Sequence, residues 1–353
     1  MLLDFGSNLS DRERSFIDET LKTLTLSYTV IELYGKNLLV TDVEPNQEQF
    51  DQLSVALRKG DLLTPKKNAF PLTSKNWKSQ KTIVEVKKEF IGGSEKTIIA
   101  GPCAVENEEM LFETAAFLQE KGIKFIRGGA FKPRTSPYSF QGLGKTGLIL
   151  LNAAAAKYDL RVVTEIMDIS QLDMVLEYSD ILQVGTRNMH NYSLLKELGK
   201  INKPIILKRG FASKIEEWLL AAEYVLLGGN GNVILCERGI RTFDDSIRNV
   251  LDISAIPRIK SLSHLPIIID PSQGTGQANL VETLTLAGLI AGADGALIEI
   301  HPNPRNAMSD GEQSLNFEQF SGLFNKILEL SNFLNTNLNF QHNNSNFVTN
   351  KLG

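Results

Sequence analysis

Six basic residues, Arg127, Lys132, Arg134, Arg187, Lys208 and Arg238, punctuate the middle of a 353-residue chain whose formal net charge is −4. On an acidic protein such a set implies a local anion site. Guanidinium forks match the oxygens of phosphate and carboxylate, so the ligands should be anionic, with more than one such group. Any one of these residues alone is more often a surface charge or a strand-end ion pair; their convergence is the informative part. A second set, Cys103, Glu299 and Asp310, joins a soft thiolate to hard carboxylates, a combination that could hold a divalent transition metal. A lone cysteine is usually a small buried apolar residue. Cys236, inside the apolar run VILCE, takes that reading and no role.

These residues need elements to position them. Short β-branched runs recur at Thr97–Gly101, Phe125–Gly128, Val162–Glu165, Ile181–Gly185, Ile205–Lys208, Val233–Glu237, Ile267–Asp270 and Ala296–Ile300, with helical periodicity between them. Eight β/α units over about 240 residues fit a closed (β/α)₈ barrel better than its rival, an open doubly wound sheet. Taken in order, the residues at or just beyond the strand ends are Cys103, Arg127, Glu165, Arg187, Lys208, Glu237 with Arg238, Asp270 and Glu299. In a barrel these ends meet on one face, where active sites are built.

Residues 1–64 read as a separate α+β unit of order βαββαβ, a ferredoxin-like sandwich. Its signals are the apolar start Met1–Phe5, a capping box at Ser10 and Glu13, strands Ser27–Tyr34 and Asn37–Val43, and a short strand Asp61–Leu63. Asn46 can cap a second helix that carries Phe50, Leu53 and Leu57 on one face. Residues 65–80, with two prolines and four lysines, read as a linker to a barrel spanning 81–334. The asparagine-rich tail, 335–353, is expected to be partly disordered.

Composition excludes some classes. With 42% hydrophobic and 22% charged residues the chain is an ordinary globular one, and nothing in the bulk charge suggests nucleic acid. No apolar run approaches a membrane span, and the N-terminus lacks the marks of a signal peptide. Two cysteines make no disulfide framework, which suggests a reducing, cytoplasmic setting. Gly142–Gly147 matches G-x-G-x-x-G, but a proline-containing loop precedes it where a dinucleotide fingerprint needs a strand, so nucleotide binding is set aside.

Longer segments then carry a resemblance: IIAGPCAVE (98–106), RGGAFKPRTSPYSFQGLG (127–144), LKRGF (207–211), ILCERGIRTF (234–243), IIIDPS (267–272) and IEIHPNPRNAMSDGEQSL (298–315). The chain resembles the 3-deoxy-heptulosonate 7-phosphate synthases of the branch related to the octulosonate 8-phosphate synthases, over nearly all of 81–334. The KPRTSPYSFQG run favours the heptulosonate enzymes, whose aldose is erythrose 4-phosphate. The resemblance implies an aldol-like condensation of phosphoenolpyruvate with that aldose, aided by a divalent metal (Mn, Fe, Co or Zn) as Lewis acid. It assigns Arg127, Lys132, Arg187, Lys208 and Arg238 to phosphoenolpyruvate, and Arg134 and Thr135 to the aldose phosphate. Ser136 and Glu237 join them as substrate-binding positions. Lys132, Lys208, Glu165 and Asp270 become the catalytic candidates, and Cys103, Glu299 and Asp310 match metal ligands. It also implies a homodimer or homotetramer, and an N-terminal domain able to bind an aromatic amino acid as effector.

One position departs from the family pattern. The fourth metal ligand there is a histidine after Asp-Pro-Ser; this chain has Gln273. A carboxamide oxygen is a poor transition-metal ligand beside a neutral imidazole. Three outcomes stay open: weak metal binding through Gln273 or water; catalysis without metal, the cation cluster carrying the electrostatics; or loss of the standard reaction, leaving another aldose, a specialised pathway or a non-catalytic phosphoenolpyruvate-binding role. His190, in the loop after the fourth barrel strand, is the candidate for rescue.

Overall fold

The structure, a computed structural model, describes residues 2–7, 10–41, 43–56, 61–63 and 69–341. The N-terminal unit runs β1 (Leu2–Asp4), α1 (Asp11–Thr23), β2 (Tyr28–Leu33), β3 (Lys36–Thr41), α2 (Gln47–Ala56) and β4 (Asp61–Leu63). Its strands form one antiparallel sheet of order β2-β3-β1-β4, the ferredoxin-like arrangement. Ser10 and Glu13 close the expected capping box on α1. Asn46 starts α2, its Oδ1 accepting from the Gln49 N–H at 2.9 Å. Leu57, expected on the apolar face of that helix, lies outside the described residues, as do Met1 and 65–68.

Strand periodicity explains how this sheet sits. Successive side chains point to opposite faces. Leu3 and Leu39 turn toward α1, into a small core with Ile17 and Leu21. Their neighbours Leu2 and Leu38, with Ile31 and Leu33, join the main core that continues into the barrel. The Tyr34 hydroxyl fastens the junction by donating to the Gly231 carbonyl at 2.7 Å. The segment read as a linker is packed where it is described: Leu72 is fully buried, and Glu223 accepts from the Leu72 and Thr73 N–H groups at 3.2 and 2.6 Å. Its polarity concealed this, because the burial rests on Leu72 and Trp77 rather than on a periodic pattern.

A hairpin, β5 (Val84–Val86) and β6 (Glu89–Ile91), leads into eight parallel strands: β7 (Thr97–Gly101), β8 (Phe125–Arg127), β9 (Arg161–Ile166), β10 (Ile181–Val184), β11 (Ile205–Lys208), β12 (Val233–Glu237), β13 (Ile267–Ile269) and β14 (Gly295–Glu299). They close on themselves, β14 pairing with β7. After them come α3 (Glu108–Glu120), α4 (Lys145–Lys157), α5 (Leu172–Tyr178), α6 (Tyr192–Gly199), α7 (Ile215–Leu226), α8 (Ala255–Leu262), the short α9 (Pro271–Thr275) with α10 (Ala278–Ile290), and α11 (Phe317–Gln341). The last helix thus extends into the segment set aside as a tail, while 342–353 lie outside the described residues.

The same alternation sorts each barrel strand. Ile99, Phe125, Val163, Ile181, Ile206, Ile234, Ile268 and Leu297 point inward and fill the interior. Their neighbours, among them Ile98, Ile126, Leu182, Leu207, Leu235 and Ile298, pack outward against the helices. The hairpin closes the floor, since Val84, Val86 and Ile91 belong to the interior cluster. Sequence reading missed this plug, whose strands are three residues each.

Candidate active site

With a packed interior and a plugged floor, the predicted site residues can meet at the upper end of the barrel. Two residues beyond the interior layer, the inward rows reach Gly101, Arg127, Glu165, Gln183, Lys208, Cys236, Asp270 and Glu299. A cavity of about 300 Å³ lies above them. Its lining holds the six predicted basic residues plus Arg248, against two acids, Glu165 and Asp310. Thr135 and Ser136 line it too.

The deep cations are fixed by specific partners. Lys208 Nζ donates to Asp270 Oδ2 at 2.6 Å, both groups being buried. Arg127 pairs with Glu299 and donates to the Cys103 carbonyl at 3.3 Å. Lys132 Nζ lies 2.9 Å from both the carbonyl oxygen and Sγ of Cys103. Arg238 stacks over Phe211, 4.9 Å from the ring centroid, with its Nη2 donating to the Gln273 carbonyl at 3.0 Å. Its Nη1 is buried with no hydrogen-bond partner among the described residues. A buried guanidinium nitrogen without an acceptor costs free energy, and an anion in the cavity would supply the acceptor. Nearer the rim, Arg187 Nη2 reaches Thr135 Oγ1 at 3.5 Å, and Arg134 Nε donates to the Phe140 carbonyl at 3.2 Å.

Not every predicted residue enters the cavity. Glu237 follows the inward Cys236 and therefore points outward. It is fully buried, its Oε2 accepting from Arg209 at 2.9 Å and its Oε1 from the Gly239 N–H at 2.7 Å. Arg209 also holds Asp252, 2.9 Å away, so Glu237 belongs to an ion network behind the strand. Burial pushes its carboxyl up even against the charge of Arg209. This corrects the assignment of Glu237 to substrate; strand alternation in LKRGF and VILCE was the available signal. Phe211 and Arg248 were not singled out from sequence, because each lies in a loop whose course only the fold fixes. Asp270 sits beneath the lining, where it caps α9 by accepting from the Gln273 N–H at 2.9 Å.

Cys103, Glu299 and Asp310 do come together, offering ligand atoms all within 4.8 Å of one another. Burial and then the Glu299 carboxylate push the Cys103 thiol up to about 12. Burial opposes the charge of Asp310 too, but the hydrogen bond from Cys103 and the charges of Lys132, Arg248 and Arg134 outweigh it and bring the carboxyl down to about 2. These three suit a cation. The fourth position does not: Gln273 turns its carboxamide nitrogen to the group, donating to Glu299 Oε1 at 2.7 Å and Asp310 Oδ2 at 3.4 Å, and an N–H donor cannot ligate a metal. Gln313 occupies the other Glu299 oxygen at 2.5 Å. Neither histidine nearby replaces the ligand. His190 packs on Tyr192, ring centroids 6.2 Å apart, and His301 pairs with Glu106 at 3.4 Å.

The Gly142–Gly147 motif proves to be a tight return from the loop into α4. A Cβ on Gly142 would stand 2.2 Å from the Ala130 carbonyl oxygen, and its φ of +91° suits only glycine.

Comparison with known proteins agrees with this architecture. The model of the DAHP synthetase I family matches residues 72–336. A phospho-2-dehydro-3-deoxyheptonate aldolase of Thermotoga maritima is 48% identical over 311 residues, 88% of this chain and 89% of that protein. A 2-dehydro-3-deoxyphosphooctonate aldolase of Syntrophobacter fumaroxidans is 31% identical over 264 residues, 70% of this chain and 91% of that one. A crystal structure of the Thermotoga maritima DAHP synthase covers 94% of this chain and 97% of its own at 41% identity, with a TM-score of 0.75. With a matching family model over most of its length and a relative this similar from end to end, the chain belongs to the DAHP synthetase I family.

Proposed function

We propose that this barrel condenses phosphoenolpyruvate with erythrose 4-phosphate to give 3-deoxy-heptulosonate 7-phosphate and inorganic phosphate, the entry step to aromatic biosynthesis. Carbon 3 of the enol forms the new bond to the aldehyde carbon. Water adds its oxygen to carbon 2, and the C–O bond to the enol phosphate breaks. The observation that carries this reading is the charge of the cavity: seven basic residues against two acids, around a buried Arg238 nitrogen that lacks an acceptor. Two phosphorylated substrates, one of them also a carboxylate, would balance it.

The residues divide by depth. Lys132, Lys208 and Arg238, all buried, would grip phosphoenolpyruvate above the interior layer, with Arg127 beneath and Arg187 at the side. Arg134, Thr135 and Ser136, on the loop after β8, would hold the aldose phosphate at the rim. Lys132, in the cavity lining, would donate to the aldehyde oxygen as it gains negative charge. Glu165 lines the cavity as an acceptor for the proton of the attacking water, and Asp270 fixes the Lys208 ammonium. The N-terminal sheet, docked through Tyr34, is proposed to bind an aromatic amino acid as effector, and the protein to work as a homo-oligomer in a reducing compartment. Unchanged rate and melting temperature with added phenylalanine or tyrosine would remove the effector.

Phosphate release from phosphoenolpyruvate, with erythrose 4-phosphate present and absent, tests the reaction. Release should require the aldose, and one heptulosonate should form per phosphate. Release without aldose, or none under any metal condition, would overturn the assignment.

A further inference from the structure

The group of Cys103, Glu299 and Asp310 looks like a cation site, yet hydrogen-bond donors already meet its negative charge. Arg127 and Gln313 hold Glu299, Lys132 touches Cys103 Sγ, and Gln273 Nε2 spans Glu299 and Asp310. For Gln273 to become a ligand its carboxamide would have to turn over. Its oxygen, now 3.4 Å from Arg238 Nη2, would then face the Glu299 carboxylate across the 2.7 Å now spanned by a hydrogen bond. Its nitrogen would face the Arg238 guanidinium, donor against donor. A cation could relieve the first contact but not the second. The side chain is also held at its root, where the Gln273 N–H donates to Asp270 and the Gln273 carbonyl accepts from Arg238. Arg238 therefore fixes which end of the amide meets the acidic group.

Resting on the condensation reading above, we propose that the Gln273 amide, oriented by Arg238, takes the place of a resident cation, so that this chain turns over without a metal. Gln273 is then a positioning residue that ties Glu299 to Asp310, and the positive charge over the reacting oxygens comes from Lys132 and its neighbours.

Cobalt titration of chelator-stripped protein tests this directly, because a cobalt–thiolate bond to Cys103 absorbs in the near ultraviolet. The wild-type protein should show no such band at one equivalent of Co²⁺. Gln273→His should show it, with affinity raised more than about 100-fold, beyond the range of changes that only support a ligand. Phosphate release by the wild-type protein should stay within about twofold when chelator or Mn²⁺ is added, on the transition-state reading of rates. A wild-type band at one equivalent, or release abolished by chelator and restored by Mn²⁺, overturns the proposal, and both observations need only the wild-type chain. No release from either protein, with or without metal, would instead overturn the condensation reading, while the cobalt band still decides the role of Gln273.

Discussion

Arg238→Met should separate the cost of the anion site from its use. Without substrate, Arg238 gains a hydrogen bond to the Gln273 carbonyl at 3.0 Å and a longer one to the Gln273 Oε1 at 3.4 Å, together worth about 1–1.5 kcal/mol net, and a stack on Phe211 worth roughly 0.5–1 kcal/mol. Against these stands a buried nitrogen with no partner, at about 1–3 kcal/mol. Methionine keeps most of the stem's packing over Phe211 and discards the unmet donor. The variant should therefore stay within about 1.5 kcal/mol of wild type in urea unfolding without substrate. Phosphoenolpyruvate binding should weaken by about 10–150-fold, the equivalent of a hydrogen bond between charged groups at roughly 1.5–3 kcal/mol. Urea midpoints with and without phosphoenolpyruvate, beside a calorimetric titration, measure both. A variant that loses 2 kcal/mol or more yet binds phosphoenolpyruvate like wild type, on the scale of about 1.4 kcal/mol per tenfold, would make Arg238 a structural residue and refute the reasoning.

Other perturbations follow from the same contacts. Lys208→Met leaves Asp270 buried without its cation and should cost about 3–5 kcal/mol as well as turnover; unfolding within about 1 kcal/mol of wild type would mean that the pair is not buried in solution. Gly101→Ala would place a Cβ 2.1 Å from the Arg127 carbonyl oxygen, so the strand must shift beside the site; a soluble variant with wild-type kinetics would contradict the close approach of β7 and β8. Stability should also peak in mildly acidic solution, because two buried groups flank Leu72. Burial pushes Glu223 from 4.5 up to about 7, so its penalty is absent below pH 4.5 and reaches roughly 3 kcal/mol once the pH passes 7. Burial depresses His264 from 6.5 to about 4, so its contribution is present above pH 6.5 and lost as the pH falls toward 4. Between about pH 4.5 and 6.5 the two slopes oppose each other and nearly cancel, so scanning calorimetry across pH should find a shallow maximum near about pH 5.5, and Glu223→Gln should remove the alkaline limb and move the maximum above about pH 6.5. An alkaline limb as steep in Glu223→Gln as in wild type would rule out Glu223 as its source.

The barrel was legible because its strands are short, apolar and bounded by residues that cannot be buried unpaired. Thr97–Gly101, Ile205–Lys208 and Val233–Glu237 end where the change of pattern places them. The basic lining was legible for the same reason, since a strand-end charge on an inward row must reach the mouth. What sequence concealed depended on partners distant along the chain. Leu72 is buried by α7, and its polar surroundings read as a linker. Glu237 looked like a mouth residue because its type and place were right, but it stands one step off the inward row, and Arg209, one step past Lys208, receives it.

Gln273 shows the limit most sharply. The residues themselves show Gln273 beside Asp270, and only the family resemblance sets it where an imidazole ligand is expected. Which atom of a carboxamide faces an acidic group is a separate matter, because the two ends have opposite hydrogen-bond character. In this chain the choice falls to Arg238, 35 positions away and on another strand end, whose donor can meet only the oxygen. Once the oxygen is held there, the nitrogen must face Glu299, and a neutral N–H stands where a ligand would be. On the proposal above, the functional effect of Gln273 is a property of the pair: with Arg238 replaced by a residue that does not donate, the same Gln273 would be free to turn its oxygen to a cation.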